Sequence, residues 1–186
     1  MRQDSAVSFL RTNVHYLLAM ALVLVILAVM PALSLSEVQN GSTTKKPRFE
    51  HTNLVLKDNK VGLMWSLNAD WTGQTFTWDD AQDYVYALNV KTFAGFRDWR
   101  VPSLRELESL VEHVKSLGLD GLSGEQSIVD GLRKLGVERV ENGGYWSSTE
   151  NIYNSSEAWY MNMERGTGEV GFKSLYFFIW PVRSLR

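Results

Sequence analysis

Asp98-Trp99-Arg100-Val101-Pro102-Ser103-Leu104-Arg105-Glu106-Leu107 is the stretch whose reading decides the fold. Pro102 keeps Val101 out of the helical region, so residues 98–102 read as an extended segment. Ser103 followed by Glu106 is a capping box, and it opens a helix. Leu104, Leu107, Leu110, Val111 and Val114 then repeat at helical spacing and define one apolar face. Upstream, Thr77 before Trp78-Asp79-Asp80 is a second helix start, with two acids where the helix dipole favours them. Ala81, Val85 and Leu88 form its apolar stripe, and residues 89–97, with Gly95, form a loop. Further upstream, Asn53–Lys57 and Val61–Trp65 are two short strands. The turn residues Asp58-Asn59-Lys60 join them into a hairpin. A polar loop, Asn68 to Gln74, carries Trp71 between this hairpin and the first helix.

Downstream, residues 116–143 hold several glycines and a third helical pattern from about Glu125 to Leu135. This part is too short to bury its own core, so it reads as an insertion rather than a second domain. The C-terminal third returns to strands. Tyr145–Thr149 is one, Glu150 to Ser156 a polar loop, and Ala158 to Met163 alternates between faces. Glu164–Gly168 is a hairpin turn. The run Ser174–Arg183 is apolar on both faces and is expected to be a central, covered strand. Helices with antiparallel strands on both sides give an α+β fold.

The chain has 186 residues, 45% apolar and 22% charged, which suits a globular protein. Its net charge of −2 leaves no basic excess for phosphates, so nucleic acid is not expected as a partner. Without cysteine there are no disulfides, no thiolate metal sites and no thiol nucleophile. Residues 1–15 carry Arg2 and Arg11 against Asp4, and Tyr16 to Leu35 follow without a charge. This pattern directs everything after it out of the cytoplasm: to the periplasm, the cell surface or the medium. The small residues from Ala32 to Ser36 suit cleavage of a signal peptide, whereas the length of the apolar run suits a membrane anchor. The expected organisation is therefore a signal or anchor over 1–36, a flexible linker over 37–48 and one domain over 49–186. Without residues 1–36 the balance is 17 basic against 20 acidic side chains, a net of −3.

Five blocks occur in order: Gly62–Trp65, Trp78–Ala81, Asp98–Leu107, Tyr145–Thr149 and Trp180–Arg183. Together they resemble the Lcl C-terminal domain family, the C-terminal domain of the legionella collagen-like protein, over roughly residues 49–183. The resemblance implies a C-type-lectin-like α+β fold on secreted or surface-anchored bacterial proteins. It also implies adhesion to sulfated polysaccharides, as in the family's named member. Many members carry a cysteine pair whose matching positions here are Val85 and Pro181, so both halves are absent together. The formylglycine-generating enzymes share the broad fold but act through cysteine thiols, a chemistry closed to this chain.

Six tryptophans (Trp65, Trp78, Trp99, Trp146, Trp159 and Trp180) lie inside strand and helix patterns and are expected in the core. Trp71 lies in a polar loop and is a candidate ligand contact. The loop at Asn151, Tyr153 and Asn154 mixes an aromatic ring with amides, the chemistry of a recognition loop. Arg165 and Lys173 are placed to meet an anionic polysaccharide. Asp98 and Arg100 are expected to hold the strand to the following helix. Asn68, Asp70, Glu150, Asn151 and Asn154 are of the types that suit calcium, but neither the Glu-Pro-Asn nor the Gln-Pro-Asp triplet is present. No other cofactor is expected. Ser147, Ser148 and Thr149 lack a catalytic base, since only His15, His51 and His113 exist. The expectation is a non-enzymatic module that recognises a glycan or a surface protein, with an assembly role in a membrane-anchored envelope complex as the alternative.

Overall fold

The computed structural model describes residues 46–118 and 127–185. The apolar segment 16–35 and residues 37–45 of the expected linker lie outside the described residues. Among the described residues no helix is long and apolar enough to cross a membrane.

The expected hairpin is present as β2 (Val55–Asp58) and β3 (Leu63–Ser66), antiparallel, with Asp58 opposite Leu63. Asp58 therefore belongs to the strand, and the turn is Asn59 to Gly62. Gly62 closes it at φ 71°, a conformation that disfavours any side chain. A short β1 (Phe49–His51) adds to the outer edge of β2, and β7 (Val182–Ser184) pairs with β3. The second sheet is an antiparallel meander of β4 (Gly144–Glu150), β5 (Glu157–Asn162) and β6 (Thr167–Phe172).

Helix α1 (Trp78–Val90) is capped by Thr77, whose hydroxyl accepts from the Asp80 amide at 3.3 Å. Helix α2 (Leu104–Ser116) carries the complete capping box, with the Ser103 amide donating to Glu106 Oε2 at 2.7 Å. Leu107, Leu110, Val111 and Val114 are its buried face, as their spacing requires. A second box, Ser127 with Asp130, starts α3 (Ile128–Lys134).

Side chains alternate across the strands, so each sheet feeds two cores. Leu56, Leu63 and Trp65 join Tyr145 and Met161 beneath α2 and α3. Val55 and Met64 join Trp146 and Ala158 beneath α1. The expected insertion is part of this body, because Ile128, Val129, Leu132, Val137 and Val140 all lie in the first core.

The C-terminal run corrects one expectation. Only Val182–Ser184 is a strand, and it lies at a sheet edge rather than in the centre. Residues 174–181 cross from one sheet to the other, with bridges from Phe177 to Phe76 and from Phe178 to Tyr145. Ile179 enters the second core and Trp180 the first. Both faces are apolar because the segment passes between two cores; periodicity alone does not separate that from a central strand. At its start Leu175 and Tyr176 are exposed.

Asp98 and Arg100 are structural, but with separate partners. Arg100 grips Glu106 through two bonds of 2.8 and 2.6 Å, tying the extended segment to α2 as expected. Asp98 instead accepts from Arg183 on β7 at 2.7 Å. Burial pushes the Glu106 carboxyl up, yet the bonds from Arg100 and Ser103 outweigh it and hold the group below the ordinary glutamate range. A lowered carboxylate pKa stabilises the fold above the unfolded-state value, about 4.3. That contribution disappears as pH falls through the lower, folded-state value. Glu106→Gln is therefore expected to be less stable than the parent at pH 7, with the gap closing on acidification. Urea titrations from pH 7 down to about pH 3 check this.

Candidate functional site

The β4–β5 loop is built on side-chain hydrogen bonds to its own backbone. Asn151 accepts from the Tyr153 amide at 3.1 Å and donates to Glu157 at 2.7 Å across the loop neck. Asn154 accepts from the Ser156 amide at 3.0 Å. Such turns fix a loop without apolar packing. At the tip, Ile152 is 86% and Tyr153 90% exposed.

Lys173 joins this end of the sheet. Its amide donates to the Ser156 carbonyl, and its ammonium lies 2.6 Å from Glu150 and 4.2 Å from the centre of the Trp78 ring. Exposed Phe172 and Tyr176 flank it in sequence. Asn151, Tyr153, Asn154 and Lys173 are thus brought together. Trp78 joins them through Lys173, a contact with no local sequence signal because it spans 95 positions.

Arg165 is not part of this group. It lies on the β5–β6 turn, at the opposite end of the meander, 3.3 Å from Glu169. That carboxylate also accepts from Tyr160, Asn162 and Thr167. Burial and the bond to Glu169 push the Tyr160 hydroxyl up to about 12. Arg165 therefore belongs to a turn-holding network. Trp71 lies on a further patch, 40% exposed, with its ring edge-on to Phe93 at 5.3 Å.

The oxygens suited to calcium divide between two loops and already serve as turn acceptors. Asn68 accepts from the Asp70 amide, and Asp70 from the Gly73 amide. Among the described residues no three His, Asp or Glu side chains converge. Ser147 is buried and donates to the Trp159 carbonyl at 2.7 Å. No described hydrogen bond joins a histidine ring to a serine hydroxyl. His113 lies against Phe49, and burial, then the Arg48 charge, hold it below the ordinary imidazole range.

Of the six core tryptophans, Trp65, Trp99, Trp146 and Trp180 are buried, while Trp78 and Trp159 are half-buried. Val85 and Pro181, at the positions of the missing cysteine pair, are both buried. A second concavity went unread in sequence. It is a groove of about 450 Å³ between residues 52–57 and the turn holding Ala94 and Phe96. Its walls come from loops far apart in the chain, although the left-handed backbone at Thr92 and Ala94 marks one of them.

No curated protein matches this chain. The Lcl C-terminal domain family matches residues 54–183, which spans every described strand and helix except β1 and the final residue of β7. The chain belongs to the Lcl C-terminal domain family.

Proposed function

We propose that this chain is a non-enzymatic recognition module of C-type-lectin-like design, carried outside the cytoplasm, that binds a glycan through its β4–β5 loop. One observation carries the reading: the two largest apolar side chains of that loop stand in water, while two side-chain bonds to the backbone and two between side chains brace the loop beneath them. Ordering a loop before binding removes part of the entropy cost of association. An exposed tyrosine ring beside amide groups suits a sugar's apolar face and its hydroxyls. Lys173 and Arg165 are each paired with a carboxylate and lie at opposite ends of the sheet, which favours neutral over sulfated sugars. Export rests on the uncharged segment 16–35 behind a basic flank.

Glycan arrays at low and high salt, with and without calcium, test the proposal. The expected result is a signal on neutral glycans that survives high salt. Ile152→Ser with Tyr153→Ser is expected to abolish it while stability changes by no more than about 0.5 kcal/mol. Silence across the array overturns sugar recognition. A protein partner has separate support in α1, where Tyr86 and Val90 stand exposed one turn apart. Capture from the native envelope that is lost in Tyr86→Ser favours that second reading.

A further inference from the structure

We propose that the groove between residues 52–57 and the 92–96 turn binds a single-chain amphiphile with a carboxylate head. The floor is Val55 on β2 and Met64 on β3, both almost fully buried. One wall is Ala94 and Phe96. The Phe96 ring is held in place, with the Arg183 guanidinium 3.8 Å from its centre and Trp99 edge-on at 6.4 Å. Arg183 is itself fixed by Asp98, so this wall is preorganised. The opposite wall is the β1–β2 connection, where Leu54 is 39% exposed. The groove is open along one side, and its volume, about 450 Å³, falls in the range of small-molecule sites.

Two features select the occupant. Lys57 lies on the groove, and its ammonium has no hydrogen bond or ion pair among the described residues. Glu50, opposite it in register, is engaged by Lys46 at 3.5 Å. A single ammonium in a mainly apolar groove, with Thr52 and Asn53 as its other polar lining residues, matches a head with one negative charge. The floor also offers no backbone partners, because Val55 and Met64 belong to paired strands and the Val55 carbonyl accepts from Thr52. A peptide lying there would leave its own amides unsatisfied, whereas an acyl chain has none to satisfy.

The experiment uses the full chain and dodecanoate bearing a diazirine on its tail, cross-linked by light and mapped by mass spectrometry. Saturable labelling within residues 52–57 or 94–96 is expected. Lys57→Glu is expected to weaken it about three- to tenfold, the scale of one partly exposed ion pair. The same variant is expected to favour a probe with a trimethylammonium head. Melting curves show whether it folds, and Lys57→Gln, which keeps bulk without charge, replaces it if it does not. Labelling that does not saturate, that maps elsewhere or that Lys57→Glu leaves unchanged overturns the proposal. So does equal labelling by a dodecanol probe, which would remove the role of the head group. Stronger competition by an apolar peptide would give the groove to a peptide instead.

Discussion

Arg48→Met is expected to lower the unfolding free energy by about 3–5 kcal/mol, the usual effect of stranding a buried charge. Asp58 is completely buried on β2, and Arg48 encloses its carboxylate with contacts of 3.0, 3.0 and 2.7 Å. The same guanidinium reaches Ser109 on α2 through its carbonyl and its hydroxyl. One side chain therefore joins the entry of the domain, the first sheet and the second helix. Removing it leaves the Asp58 charge with only the Lys60 amide as a described donor. Adding Asp58→Leu is expected to restore part of the loss, because no charge is then left unpaired. Urea denaturation of the parent, both single variants and the double variant checks this. Simple additivity of the two losses would count against direct coupling.

Trp146→Ala is expected to cost about 3–5 kcal/mol, through lost burial and the cavity left behind. The ring is fully buried in the second core, against Phe177 at 4.8 Å and Tyr160 at 6.2 Å. Its indole N–H donates to the Phe76 carbonyl at 2.8 Å, just before α1 begins. Trp146→Phe separates the two contributions. It retains most of the apolar volume and removes one of that carbonyl's two donors, leaving the Phe177 amide at 3.0 Å, and is expected to cost about 0.5–1.5 kcal/mol. Thermal unfolding of the two variants orders them. A loss on Trp146→Ala no larger than that on Trp146→Phe would show that the core refills the space.

What the sequence disclosed follows the range of the forces involved. Capping boxes, helical stripes and strand alternation act over a few residues. Accordingly α1, α2, β2 and β5 lie close to where their patterns put them. The final apolar run misled because its pattern reports burial on both sides, not what does the burying; Ile179 and Trp180, adjacent in the chain, enter two different cores. The candidate site divides in the same way. Asn151 and Asn154 declare a polar loop by themselves, whereas the contacts of Lys173 with Glu150 and with the Trp78 ring join residues far apart in the chain. The groove is invisible along the chain, because its two walls lie about 40 residues apart.

The first sheet takes its outermost strands from the two ends of the folded body, β1 and β7. Just before β7, Ile179 and Trp180 plug one interior each. Helices and hairpins can thus assemble from local contacts, but neither interior closes until the segment carrying Ile179 and Trp180 has docked. Final closure is therefore slow by topology, since long loops must be drawn shut before those two plugs contribute their burial.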